Sequence, residues 1–321
     1  MMAGSTGRPS IVVITTARDE AWILGRFLEV CSVFADRIVI ALQNPGDAVR
    51  ELCTRFEKVA VVEDHEPGYD EARRQQLLIR TARELVPDPR ILLALEPDEI
   101  LAANAMSTRG WQAMLRAAPG TVVFFERPNL YLSPRNCERR PLDFAAGFVD
   151  DGVAPYEGPV IHAPRVPKPP GAPQMTLGDV KFLHYALLRP EAHKAEMRMC
   201  AALENVLGTR PLLARRRAYW SRRTLRPSGP LEPTPAEWLE AWESRGIDMT
   251  TVQDVRPYWQ DLATLDLLLE HGSRRFWFDD LWGKDWNAFI VQLGRLARVD
   301  PPPRVLRFVV DGLQRLVQWI V

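Results

Sequence analysis

Leu93-Ala94-Leu95-Glu96-Pro97-Asp98-Glu99-Ile100 changes character half-way along. Residues 91–95 form an apolar run with the length and composition of a buried strand. Glu96, Asp98 and Glu99 then crowd three carboxylates into four positions. Pro97 between them stops a helix from starting and removes a ladder donor. The acids should therefore sit where a strand leaves its sheet, the edge at which open α/β sheets bind ligands. Carboxylates crowded there repel one another unless something neutralises them. A hard divalent cation holding a phosphate is one such partner; the alternative is a solvated acidic turn.

Upstream, strands alternate with helices. Residues 10–15 read as a buried first strand, 20–34 as a helix, 37–42 as a second strand, 48–56 as a short helix and 58–62 as a third strand. Asp70 caps a further helix that ends before Pro87 and leads into the strand at 91–95. Such alternation demands a largely parallel sheet covered on both faces. Downstream, 107–117 looks helical and 121–125 extended. From 128 to 178 periodicity is lost in a stretch rich in Pro, Gly, Asp and Arg; a loop of this length inside a domain is functional or disordered. Strand character returns at 179–185, and 191–207 reads as a helix.

Residues 227–235 read as a linker, with all-helical pattern beyond. Two regions are expected, 1–210 α/β and 211–321 helical. Eight of the ten tryptophans lie from Trp220 onward, giving that region its own aromatic core or surface. Residues 304–321 segregate Leu306, Val309, Leu313, Leu316, Val317 and Ile320 from Arg304, Arg307, Asp311, Gln314, Arg315 and Gln318. A helix so divided packs on its own domain or meets a partner or membrane surface, to which Arg215–Arg217 and Arg222–Arg223 would add attraction.

The 41 basic and 41 acidic residues balance, which argues against a nucleic-acid-binding protein. Cys31, Cys53, Cys137 and Cys200 show no metal-ligand spacing, so free thiols are expected. No signal-peptide pattern opens the chain and no run reaches the length of a membrane span. A cytoplasmic protein is expected, with peripheral contact at the inner face of a membrane as the variant.

The order of elements resembles family 2 glycosyltransferases of the GT-A fold. Residues 11–20 are similar to their opening strand and loop. Tyr69-Asp-Glu-Ala72-Arg73-Arg74-Gln75 resembles their Ala-Arg-Asn helix start, and Leu95-Glu96-Pro97-Asp98-Glu99 resembles their Asp-x-Asp motif. Tyr156-Glu157-Gly158-Pro159-Val160-Ile161-His162 resembles a Gly-x-Ile-His-Glu signature. Leu183-His184-Tyr185 with Lys194 and Arg198 resembles a later His-Tyr…Lys…Arg pattern. The resemblance spans roughly residues 10–205. It departs at Ala41-Leu42-Gln43-Asn44, where relatives end the strand in a base-reading Asp, at Glu96 for the first acid, and at Ala163 for a Glu.

The resemblance implies a Rossmann-like GT-A sheet followed by helices, and transfer from a nucleotide-diphosphate sugar to a glycan, lipid-linked or small-molecule hydroxyl. It places Thr16, Glu20, Gln43, Asn44, Arg73, Arg74 and Glu96 at the donor. It places Asp98, Glu96 and His184 around Mg²⁺ or Mn²⁺. Arg73 and Arg74 open a helix at a strand's carboxyl end, a position that favours phosphate. A general base should be a carboxylate near the acceptor; Asp150, Asp151 and Glu157 lie in the irregular stretch, with Asp151 or Glu157 favoured, and single displacement with inversion would follow. The competing function is a non-catalytic nucleotide-sugar or glycan-binding module on the same scaffold. A structural interaction protein using its helical tail is a third.

Overall fold

The computed structural model describes residues 8–43, 46–65, 68–223 and 225–319. Its strands are β1 (Ser10–Ala17), β2 (Arg37–Leu42), β3 (Val59–Glu63), β4 (Arg90–Ala94), β5 (Glu99–Leu101), β6 (Val122–Glu126), β7 (Asn129–Leu130), β8 (Asn136–Glu138), β9 (Phe144–Asp150), β10 (Gln174–His184) and β11 (Leu231–Pro233). Its α-helices are α1 (Ala21–Phe34), α2 (Asp47–Thr54), α3 (Glu71–Leu85), α4 (Arg109–Met114), α5 (Pro190–Leu207), α6 (Leu212–Arg223), α7 (Glu240–Glu243), α8 (Trp259–Glu270), α9 (Trp286–Gln292) and α10 (Arg304–Trp319). The alternation expected for residues 10–95 is present, and the chain is an α/β protein with helices after it.

The backbone forms two compact units that do not follow chain order. Residues 1–188 and 227–253 make the first, and 189–226 and 254–321 the second. Residues 227–235 are thus no plain linker: β11 pairs antiparallel with β8 and closes one edge of the first unit's sheet.

That sheet runs β11-β8-β7-β10-β6-β9-β4-β1-β2-β3, with β5 paired to β10. β3, β2, β1 and β4 are mutually parallel. β9 runs antiparallel between β4 and β6 and so keeps β6 and β10 in the same direction as β4. The carboxyl ends of β1, β2, β3, β4 and β10 therefore share one edge. One apolar layer, built around Phe27, Leu28 and Trp111, covers one face of the sheet; a second, built around Leu78, Ile79 and Phe148, covers the other. Trp242 belongs to the first unit's core, its Nε1 donating to Leu101 O at 2.7 Å, so the tryptophan-rich sequence does not form one separate aromatic core.

β9 is the main structure found inside the stretch that reads as irregular. All seven of its residues are buried, so no alternation marks it. Gly147 sits where an added Cβ would lie 2.8 Å from Val123 Cβ, beside the register shift between β6 and β9. That close approach excludes a side chain and hides the strand behind low-propensity Ala-Ala-Gly.

Asp150 pairs in register with Arg90, the first residue of β4, at the amino edge of the parallel strands. Its buried carboxylate takes Arg90 Nε at 2.6 Å and Arg83 Nη2 at 2.7 Å. Burial opposes its charge, but hydrogen bonds from Arg83 and Arg90 outweigh that and hold the carboxyl below the usual range. Asp150→Ala leaves the buried Arg90 guanidinium without this partner and should cost about 3–5 kcal/mol in urea unfolding. A depressed folded-state pKa makes this contribution complete above about pH 4 and lost as pH falls through the folded value. Parent and variant should therefore converge in acid; a loss under about 1 kcal/mol at neutral pH would show that Arg83 and Arg90 do not depend on Asp150.

Candidate functional site

Glu96-Pro97-Asp98-Glu99 is a tight turn, closed by Glu99 N donating to Glu96 O at 3.0 Å with Pro97 at its second position. Leu95 N still pairs with Ile14 O at 3.1 Å, so the turn begins as the sheet ends. Glu99 starts β5, and its register against β10 sets Glu99 opposite His184. Tyr185 N donates to Asp98 O at 2.8 Å, which fixes the turn against the end of β10. The strand pairing thus brings Glu96, Asp98, Glu99 and His184 together from positions far apart in sequence.

Within the cluster the carboxylates have different fates. Glu99 is fully buried and accepts Arg127 Nη1 and Arg165 Nη1, each at 2.6 Å, and Glu96 N at 2.9 Å. Burial raises its pKa, but Arg165 and Arg127 more than offset this, so it is held as a carboxylate. Both guanidiniums lie over the Phe144 ring, 4.9 and 5.0 Å from its centre. Glu96 is 53% exposed and takes Arg165 Nη2 at 2.9 Å. Asp98 Oδ2 stands 3.7 Å from His184 Nε2.

The hydrogen-bond network assigns the tautomer of His184. Ser228 N, Ser228 Oγ and Gly229 N all donate to Glu138 Oε1. Glu138 Oε2 accepts Asn129 Nδ2 at 3.2 Å, which turns Asn129 Oδ1 toward His184 Nδ1 at 2.9 Å. That oxygen can only accept, so Nδ1 carries a proton, and Nε2 is the ring nitrogen that faces Asp98. A neutral His184 would set an imidazole nitrogen opposite a carboxylate oxygen, ligand types that divalent cations accept; an imidazolium would make the same approach an ion pair. Among the described residues, ligand atoms of Glu96, Glu99 and His184 also lie within 4.8 Å of one another. Glu99 is committed to its arginines, and Asp98 is not part of that group, although its Oδ2 approaches His184 Nε2 to 3.7 Å.

Along the same edge, Gln43 follows β2, and its Nε2 donates to Asp64 Oδ2 at 2.9 Å. Asp64 follows β3 and takes both terminal nitrogens of Arg73, at 2.6 and 3.1 Å. Arg74 is buried, donates to Gln43 Oε1 at 3.2 Å and lies over the Tyr69 ring at 4.7 Å. Among the described residues it has no carboxylate within ion-pair range, and its Nε has no partner. Thr16 is at the carboxyl end of β1, and Glu20 caps α1 while accepting Trp22 Nε1 at 3.0 Å. Asn44 lies outside the described residues. A cleft of about 700 Å³ runs from Asp64 and Arg73 along α3 to Tyr156.

The proposed base residues fall elsewhere. Asp151 follows Asp150 at the amino edge of β4, roughly 13 Å of strand from the acidic turn. Its Oδ1 accepts Val153 N and Ala154 N, the arrangement of a turn-forming carboxylate. From there the chain climbs antiparallel to α3. Gln76 Nε2 meets Tyr156 O at 3.2 Å, Glu71 N meets Val160 O at 2.9 Å, and Arg165 arrives at Glu96 and Glu99. Glu157 is exposed part-way up this climb and is not in the acidic cluster. Ala163 gives its N–H to Glu71 Oε2 at 2.9 Å. Lys194 and Arg198 lie in the second unit, paired there with Glu191 and Asp261.

No family model matches the chain, and no curated protein does. Among solved structures, a 4-diphosphocytidyl-2C-methyl-D-erythritol synthase is similar over 37% of this chain and 60% of its own, at 17% identity and a TM-score of 0.30. The synthase of that name from Anaerococcus prevotii DSM 20548 shares 37% and 55%, at 13% identity and 0.28. HddC from Yersinia pseudotuberculosis shares 44% and 74%, at 9% identity and 0.27. The chain spans 60% or less of the two synthases it matches. Likeness this slight assigns no function, which has to come from the site itself.

The tautomer assignment is open to direct measurement. Long-range ¹H–¹⁵N spectra of the metal-free protein at neutral pH should show His184 protonated at Nδ1. Asn129→Leu should release it to a mixture of tautomers; a parent spectrum with the proton on Nε2 would overturn the assignment.

Proposed function

We propose that this chain is a glycosyltransferase that takes a nucleotide-diphosphate sugar and uses Mg²⁺ or Mn²⁺ held by Asp98 and His184, with Glu96 beside them. The carrying observation is the 3.7 Å approach of Asp98 Oδ2 to His184 Nε2 at the carboxyl edge of the sheet. When bound, the ion would neutralise a departing diphosphate as a Lewis acid. Arg74 supplies the second argument: a buried guanidinium without a carboxylate partner is costly and calls for an anion. It lies in the first turn of α3, where the helix dipole favours negative charge, although Glu71 N and Arg73 N already donate to Val160 O and Asp70 Oδ1. Arg73, tied to Asp64, positions that edge, and Gln43 holds Arg74. In this reading Thr16 and Glu20 border the donor.

Transfer with inversion needs a carboxylate to accept the acceptor hydroxyl's proton. Glu157 takes that role in the proposal, since it is exposed on the stretch that delivers Arg165, whereas Asp151 is used in a turn at the far edge. One observation favours a second reading, a nucleotide-sugar-binding module without transfer: Arg165 already neutralises Glu96 without a metal. Turnover of a nucleotide sugar separates the two.

The acceptor side rests on α10. Val305, Phe308 and Val309 are exposed at 77%, 82% and 48%, spaced along one side of the helix, while Leu306 and Val310 are partly covered. Arg304 and Arg307 complement an anionic lipid surface, which this proposal takes as the occupant. Arg215 and Arg216 do not contribute, being buried, Arg215 against Asp279 at 2.6 Å. No described helix is long and apolar enough to cross a membrane. The full chain should sediment with anionic vesicles and Val305→Asp/Phe308→Asp should not; a parent that stays in the supernatant, or a variant that sediments equally, removes the lipid surface from the proposal.

UDP, GDP and dTDP, each with Mn²⁺, should be screened by thermal shift. A nucleotide at 100 times its Kd should stabilise the fold by about 2.7 kcal/mol, and EDTA should abolish most of this. Asp98→Ala should lose the metal-dependent part. Binding by Asp98→Ala equal to the parent's in Mn²⁺ would mean that the cation, if any, sits elsewhere.

A further inference from the structure

Arg165 was not among the residues that the sequence singles out, yet it pairs with two carboxylates of the acidic cluster. Its two terminal nitrogens serve different partners. Nη1 meets Glu99, which is fully buried, at 2.6 Å; Nη2 meets Glu96, which is 53% exposed, at 2.9 Å. The guanidinium plane rests on Phe144, whose ring centre is 5.0 Å away. The Glu99 half is therefore an anchor: breaking it would leave Arg127 as the remaining guanidinium on a fully buried carboxylate. The Glu96 half is exchangeable, because an ion pair with a half-exposed carboxylate is weak and screened.

This arrangement sets up a competition. Glu96 is a member of the cation set, so a divalent ion that takes Glu96 must displace Arg165 Nη2. The displaced nitrogen cannot go far, since Nη1 and the ring keep the guanidinium in place. It is left as a planar N–H donor beside the cation, where the phosphates of a donor would lie. A guanidinium fork suits phosphate oxygens better than any other side chain.

We infer that Arg165 holds Glu96 in the metal-free protein and exchanges it for a diphosphate oxygen when the cation binds. This rests on the metal-dependent donor site proposed above. Two affinities should then move in opposite directions when the guanidinium is removed. Arg165→Met removes a competitor for Glu96, so Mn²⁺ alone should bind about two- to fivefold tighter by calorimetry, the size of a half-exposed ion pair. Pyrophosphate in saturating Mn²⁺ should bind about tenfold weaker or worse, the size of a charge-assisted hydrogen bond. Arg165→Lys, which keeps the charge but not the fork, should fall between the two in both measurements and serves where the Met variant does not fold by circular dichroism.

The outcomes are distinguishable. A parent chain that binds no Mn²⁺ overturns the metal site and this exchange with it. A parent that binds Mn²⁺, with variants that bind Mn²⁺ more weakly or pyrophosphate equally well, overturns the exchange alone and leaves Arg165 as a structural partner of Glu99.

Discussion

The geometry of the carboxyl edge depends on a single buried carboxylate. Glu99 has no solvent contact, yet is kept ionised by Arg127 and Arg165 and accepts a backbone N–H of its own turn. Its partners come from different places: Arg127 follows β6, Arg165 ends the climb along α3, and Phe144 beneath both opens β9. Glu99 itself opens β5, whose register presents His184. One charge thus ties together four segments that share no sequence neighbourhood.

The first ninety-five residues were legible because parallel strands buried on both faces read as apolar runs, and their covering helices carry an inward stripe. The acidic turn was legible because proline between acids has few other uses. What stayed hidden was hidden for identifiable reasons. β9 lacks alternation and has Ala145-Ala146-Gly147 at its middle, where Val123 and Phe125 leave no room for a side chain. Arg165 lies in a stretch of Pro and Gly with no period to locate it. Asn129 and Glu138 act through contacts to one another and to a segment ninety residues on. Asp151 misled for the converse reason: an acid in an irregular stretch is a fair candidate base until strand direction places it at the opposite edge.

The two edges of the sheet illustrate how the same residue types serve different ends. At the amino edge, Asp150 with Arg83 and Arg90 is closed and buried, and every charge in it has a partner in the fold. Nothing there asks for a ligand. At the carboxyl edge, charges are matched unevenly. Glu99 is closed in the same manner, while Glu96 is half exposed and Arg74 is buried with only an amide oxygen and a ring against it. The edges therefore differ in both burial and pairing: Asp150 is enclosed between two guanidiniums, whereas Glu96 is half exposed.

The departure at Gln43 gains meaning from its neighbours. This chain carries an amide, Gln43, just after the second strand, and Asp64 stands just after the third. Asp64 N donates to Leu42 O at 2.9 Å, so the two strand ends are held side by side. Gln43 then bridges them, giving its N–H to Asp64 and its oxygen to Arg74. An aspartate in place of Gln43 would set two carboxylates against each other and would neutralise Arg74. With glutamine, Asp64 is matched to Arg73 and Arg74 keeps its charge. The substitution therefore does not remove a charged site from this edge. It leaves Arg74, packed between Gln43 and the Tyr69 ring, as a buried guanidinium with no carboxylate partner among the described residues.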